Sequence, residues 1–141
     1  MPSPATPLAE SLGRLALFND LPADALGALA ETVQEARFGE GAWILDEGVQ
    51  NAGFFVILDG EAAVVVEGME VATLHAGMFF GEISALLDEP VTAGIVARTP
   101  VRCAVIDRSE LSPFLLANPA VMLRLLQAQA RRLSQANPWR T

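Results

Sequence analysis

The sequence predicts a mainly β domain with flanking helices, built as an antiparallel sandwich or roll with a short helix inside it. Three features carry that prediction. Between Gln34 and Asp107 the apolar residues follow the period of strands. Turn residues interrupt them at short intervals: Gly39 to Gly41, Glu47-Gly48, Asp59-Gly60, Glu67-Gly68 and Ala76-Gly77. On both sides of this region the apolar spacing becomes helical, so strands do not alternate with crossover helices and a parallel sheet is not expected.

The elements follow in order. LAESLGRLALF places Leu8, Leu12, Leu15 and Ala16 at helical spacing. After a break at Asn19 and Asp20, LPADALGALAETV repeats Leu26, Leu29, Ala30 and Val33, with Pro22 near the first position of a second helix. Asp-Gly between FFVIL and EAAVVV predicts a hairpin, because glycine supplies the positive φ of tight two-residue turns, and Glu67-Gly68 predicts another. Beyond VRCAVI, Asp107 and Glu110 have the spacing of a capping box, opening the short helix SELSPFLLAN. Asn118-Pro119 starts the longest helix, with Met122, Leu125, Leu126, Gln129 and Leu133 along one face.

Composition limits the function. The 141 residues suit one domain: a disordered arm over residues 1–7, the domain over 8–136 and a tail over 137–141. The chain is 52% hydrophobic, yet no uninterrupted apolar run approaches the roughly 18 residues of a spanning helix. MPSPATPLAESLGRL lacks the basic and apolar regions of a secretory signal, so a cytoplasmic, non-membrane protein is expected. A net charge of −8, with no basic cluster larger than Arg131-Arg132, argues against nucleic acid as a partner. All nine basic residues are arginines. No nucleophile with a neighbouring base is evident, which argues against an enzyme, and no cofactor or metal is expected. His75 and Cys103 are the only soft ligand candidates, and both have ordinary structural readings.

Taken together, this element order and four motifs resemble the cyclic-nucleotide-binding domain family of cAMP receptor protein and the protein kinase A regulatory subunit. The motifs are LFNDLPADALGALA, GAWILDEG, FFVILDGEAAVV and HAGMFFGEISALLDEPVTAGIVA, and the resemblance runs from about Leu17 to Ala136. It implies an antiparallel double-stranded β-helix, or jelly roll, with a short cassette helix and a C-terminal lid helix. It also implies a ligand site: Glu82 on a ribose hydroxyl, backbone amides around Ile83 and Ser84 facing a cyclic phosphate, and Gly81 allowing close approach. Pro90 would end the cassette helix, and Thr92 and Ala93 would complete the site.

One position departs from the family pattern. Proline, arginine, a small or hydroxyl residue and alanine are implied after the cassette helix, and the chain reads Pro90, Val91, Thr92, Ala93. Losing one partner of a buried charge pair costs about 2–5 kcal/mol. At about 1.4 kcal/mol per tenfold, a micromolar site becomes roughly millimolar. Arg98, seven residues further along an extended chain, would lie about 20 Å away. Arg102 has no defined register, and Arg131 and Arg132 belong to the lid helix.

Several residues keep two readings. Glu82 is a hydroxyl ligand, or a solvated residue at a helix start. Thr92 donates to a phosphate, or is a strand former. Gln127 and Gln129 read a base edge, or occupy the polar side of a helix whose leucines pair with a second copy. The expected function is a stand-alone regulatory or sensor module without a DNA-binding helix-turn-helix. A small anionic or nucleotide ligand, a cyclic nucleotide in particular, would bind with altered or weakened affinity, and the C-terminal helix would form a homodimer. The alternative is a degenerate module acting through dimerisation or contacts with an unidentified protein.

Overall fold

The computed structural model describes residues 7–50 and 53–136. Residues 1–6 of the expected arm and the whole 137–141 tail lie outside the described residues, and Pro7 already belongs to a helix. The elements are α1 (Pro7–Gly13), α2 (Ala23–Thr32), β1 (Gln34–Phe38), β2 (Trp43–Leu45), β3 (Gly53–Asp59), β4 (Ala62–Val66) and β5 (Met69–Leu74). They continue with β6 (Phe79–Phe80), α3 (Glu82–Leu87), β7 (Gly94–Ala97), β8 (Val101–Asp107), α4 (Arg108–Ala117) and α5 (Pro119–Ala136).

Two antiparallel sheets, ordered β1-β8-β3-β6 and β2-β7-β4-β5, face each other as a roll. The run Phe54-Phe55-Val56-Ile57 is apolar throughout because β3 is covered on both sides. Side chains alternate across a strand, so Phe54 and Val56 join the helices in one core, whereas Phe55 and Ile57 fill the roll. Phe79 and Phe80 divide in the same way, and Phe80 stacks on Phe55 at 4.9 Å. The helix-side core brings Leu12, Phe18 and Leu29 together with Leu111, Leu115, Val121 and Leu125 from the other end of the chain.

Glu67 and Gly68, both at positive φ, close the expected β4–β5 hairpin. The hairpin expected at Asp59-Gly60 does not form, because β3 and β4 lie in different sheets. Gly60 instead turns a corner of the roll at φ +97°, where an added Cβ would stand 2.2 Å from the Pro100 carbonyl oxygen. Backbone N–H groups of Arg98 and Thr99 donate to the Glu61 carbonyl and secure that crossing. The corner needs glycine for conformation and for space.

The first expected helix is shorter than its apolar spacing suggests. After Gly13 the chain continues in tight turns, with N–H groups of Leu15, Phe18 and Leu21 donating three residues back. Arg124 holds these turns by donating to the Ala16 carbonyl and the Asn19 and Asp20 side chains. Pro22 is the N-cap of α2 rather than its first helical residue. Asp107 is the N-cap of α4, but its carboxylate accepts from the Ser109 N–H at 2.9 Å and the Ser109 hydroxyl at 2.7 Å rather than from the Glu110 N–H as the expected capping box would have it. Asn118 starts α5 through its carbonyl, and its side-chain amide turns back to the Phe114 carbonyl.

Helix α5 is rotated from the expected face. Val121 and Leu125 are buried, with Gln129 and Arg132 further along the inward side, and Met122, Leu126 and Leu133 are exposed. No single helix among the described residues is long and apolar enough to cross a membrane. The pair α4 and α5 would reach that length together, but they meet at 112° and bury leucines against the roll.

Candidate functional site

The cassette between β6 and β7 is a tight backbone reversal. Gly81 caps α3 at φ +85°, and the Ala85 N–H donates to its carbonyl at 3.0 Å. Asp88 at φ +56° ends α3 in the left-handed region, two residues before Pro90. The helix therefore stops by a residue that tolerates that conformation, and the proline is not its terminator. The Ser84 hydroxyl donates to the Glu89 carbonyl and closes the cassette internally.

Beneath α3 lies a cavity of about 390 Å³. Gly81, Glu82, Ile83, Ser84, Thr92 and Ala93 all line it, so the fold assembles all six expected site residues around one space. Thr92 is exposed and sits in the loop before β7, so it is not the strand residue of its structural reading. Val91 is 7% exposed and lines the same cavity. Its backbone is pinned by two bonds to the β2–β3 loop, from Gly48 N–H to the Val91 carbonyl at 2.8 Å and from Val91 N–H to the Val49 carbonyl at 2.9 Å. Leu74, Phe80 and Ile95 add further apolar wall.

Glu82 is only 4% exposed, which excludes the reading of a solvated residue at a helix start. One of its oxygens, Oε1, accepts from Gln129 Nε2 at 2.9 Å and from Arg132 Nη1 at 3.0 Å, both from α5. The second amino group of Arg132 donates to the Phe79 carbonyl at 2.7 Å, and the guanidinium lies 4.2 Å above the Phe79 ring. The other carboxylate oxygen, Oε2, is buried and has no partner among the described residues. Buried polar groups are costly to leave unpaired, so Oε2 retains unused capacity to accept a hydrogen bond.

A guanidinium thus reaches the site from the lid helix, where the sequence left Arg131 and Arg132 undetermined. Arg132 is the one that enters; Arg131 is exposed. Its spacing three residues after Gln129 puts both on one face of a helix, which is the signal available in the sequence. The remaining candidates are engaged elsewhere: Arg98 with Glu70, and Arg102 with Glu35. The Arg102 contact holds the Glu35 carboxyl below its ordinary range. Gln127 faces a separate cleft beside Ala16 and Arg124 and is not brought to Glu82. His75 is at the surface, 3.2 Å from Glu61, and Cys103 is fully buried in β8, so the two soft ligands are not brought to a common site. Burial pushes the Cys103 thiol up to about 12.

The profile of the cyclic nucleotide-binding domain matches residues 35–118, more than half of the chain and nearly all of the roll. The chain belongs to the cyclic nucleotide-binding domain family. Among solved structures, a cyclic nucleotide-binding domain from Methylobacillus flagellatus is similar at 27% identity and TM-score 0.78, covering 93% of this chain and 79% of that one. The regulatory subunit of a cAMP-independent protein kinase A from Trypanosoma brucei is similar at 25% identity and TM-score 0.75, covering 92% and 46%. The regulatory domain of Toxoplasma gondii PKA, solved with cAMP, shares the fold at 22% identity and TM-score 0.74, covering 87% and 49%. The chain spans about half the length of these two kinase regulatory chains. Its roll is mainly antiparallel β, and its cassette carries Glu82 but has Val91 where the resemblance implied an arginine.

Proposed function

We propose that this domain is a non-catalytic ligand sensor in which a small molecule beside Glu82 changes the position of α5, and that its affinity for ordinary cyclic nucleotides is low. The observation that carries this reading is the bonding of buried Glu82, a residue that lines the cavity: one oxygen is tied to Gln129 and Arg132 of α5, and the other is buried without a partner among the described residues. A ligand that engages Glu82 acts on the contact that also positions α5. Differential affinity for two placements of the helix is what a ligand needs in order to shift their populations. The regulatory subunit from Trypanosoma brucei, described as cAMP-independent, is consistent with a roll of this kind serving regulation without that nucleotide.

Titration calorimetry with cyclic AMP on the wild type and Val91→Arg tests the reading. The expected result is weak binding by the wild type and a gain in the variant of about 2 kcal/mol or more, roughly 30-fold. An unchanged variant contradicts it.

A second reading has its own support. Leu123, Leu126 and Leu133 are 53–64% exposed on α5, and with Ala130 they follow alternating three- and four-residue steps, the pattern of a helix-pairing seam. This favours a homodimer through α5, which would serve a sensor or a degenerate interaction module equally. The charge of −8 supports a role without direct nucleic-acid contact by this domain.

A further inference from the structure

Building on the reading of the cavity as a ligand site, we infer that its ligand is uncharged: a compound with an apolar body that presents a hydroxyl or N–H donor to Glu82, rather than a cyclic phosphate. Charge balance is the first reason. Glu82 and Arg132 are the only charged residues among the described ones that line the cavity, and they are paired with each other. The site is neutral before any ligand arrives. An anion would find the guanidinium already directed at Glu82 Oε1 and the Phe79 carbonyl, with its face over the Phe79 ring.

Hydrogen-bonding capacity is the second reason. Among the buried side-chain polar atoms of the described residues that line the cavity, the one without a partner is an acceptor, Glu82 Oε2. It calls for a donor, and phosphate oxygens are acceptors. The nearby Ser84 hydroxyl, which could have donated to a phosphate, is directed to the Glu89 carbonyl. The third reason is the wall. Val91, Leu74, Phe80 and Ile95 give a neutral ligand dispersion contacts and give a charged one no compensation for lost water. The volume of about 390 Å³ lies within the roughly 300–1,000 Å³ of small-molecule pockets.

Adenosine and cyclic AMP form a matched pair of probes that differ by the cyclic phosphate. Calorimetric titration of both into the wild type, Glu82→Ala and Val91→Arg decides the matter. Adenosine is expected to bind the wild type at least tenfold more tightly than cyclic AMP, to lose at least tenfold in Glu82→Ala, and to rank below cyclic AMP in Val91→Arg. Cyclic AMP binding the wild type as tightly as adenosine, or more so, overturns the inference. If adenosine fails to bind the wild type while Val91→Arg binds cyclic AMP, the uncharged-ligand inference falls and the sensor reading stands. If neither compound binds either protein, the sensor reading falls with it.

Discussion

The two walls of the cavity differ in kind. The helical wall carries a carboxylate and a guanidinium, drawn from α3 and α5, which lie about fifty residues apart in sequence, and bonded to each other across the cavity rim, while the Gln129 amide behind them donates to the same carboxylate oxygen. The sheet-side wall, with Leu74, Phe80, Val91 and Ile95, is mainly apolar, and its polar members Thr73 and Thr92 are uncharged. The difference teaches that recognition and coupling are concentrated on one side. Whatever touches Glu82 also touches the attachment of α5, and nothing opposite supplies a fixed positive charge.

The strongest way to break this contrast is to remove the helical wall's cation. Arg132→Ala leaves Glu82 buried without its charge partner. A fully buried pair broken in this manner costs about 3–5 kcal/mol. The Arg132 side chain is 35% exposed and therefore partly screened. A loss of about 2 kcal/mol in denaturant unfolding is the expected outcome, and the α5 amides should lose hydrogen-exchange protection first.

Cys103 reports on the sealed part of the roll. Below its ordinary value of 9.0, folded and unfolded chains both hold the proton and the stability is complete. Between there and the folded value of about 12, only the unfolded chain releases it, so stability falls as pH rises. The slope should be at most about 1.4 kcal/mol per pH unit, and Cys103→Ala should flatten it in unfolding curves measured across that range. The smallest effect belongs to the outer face of α5. Leu126→Glu should change unfolding free energy by less than about 0.5 kcal/mol, while sedimentation velocity should show any α5-mediated dimer reduced to monomer.

Much of this was legible in the sequence because the signals are local. The apolar run FFVIL, the Glu67-Gly68 turn and the Asp107 cap each depend on a few neighbouring residues. Asp59-Gly60 misled because a turn residue announces a reversal without saying which sheet receives the next strand. That choice is made by Thr99 and Pro100, some forty residues later. The cassette residues were recognisable as a group, and the absence of arginine at Val91 was visible directly. The role of Arg132 was not, because it depends on how α5 is rotated over the roll. Met122, Leu126 and Leu133 are as apolar as the buried Val121 and Leu125, and the face that packs is selected by the shape of the helix-side core. Burial of Glu82 was hidden for the same reason, since α5 is what covers it.

The most direct test of the account is a double-mutant cycle on Glu82→Gln and Arg132→Ala, read by equilibrium unfolding. If the cavity's charge is balanced across its rim, the two substitutions couple by about 1 kcal/mol or more, and the double variant is less damaged than the sum of the singles. Additivity to within about 0.3 kcal/mol would mean that α5 is held by its leucines alone and that Glu82 does not link the site to the helix.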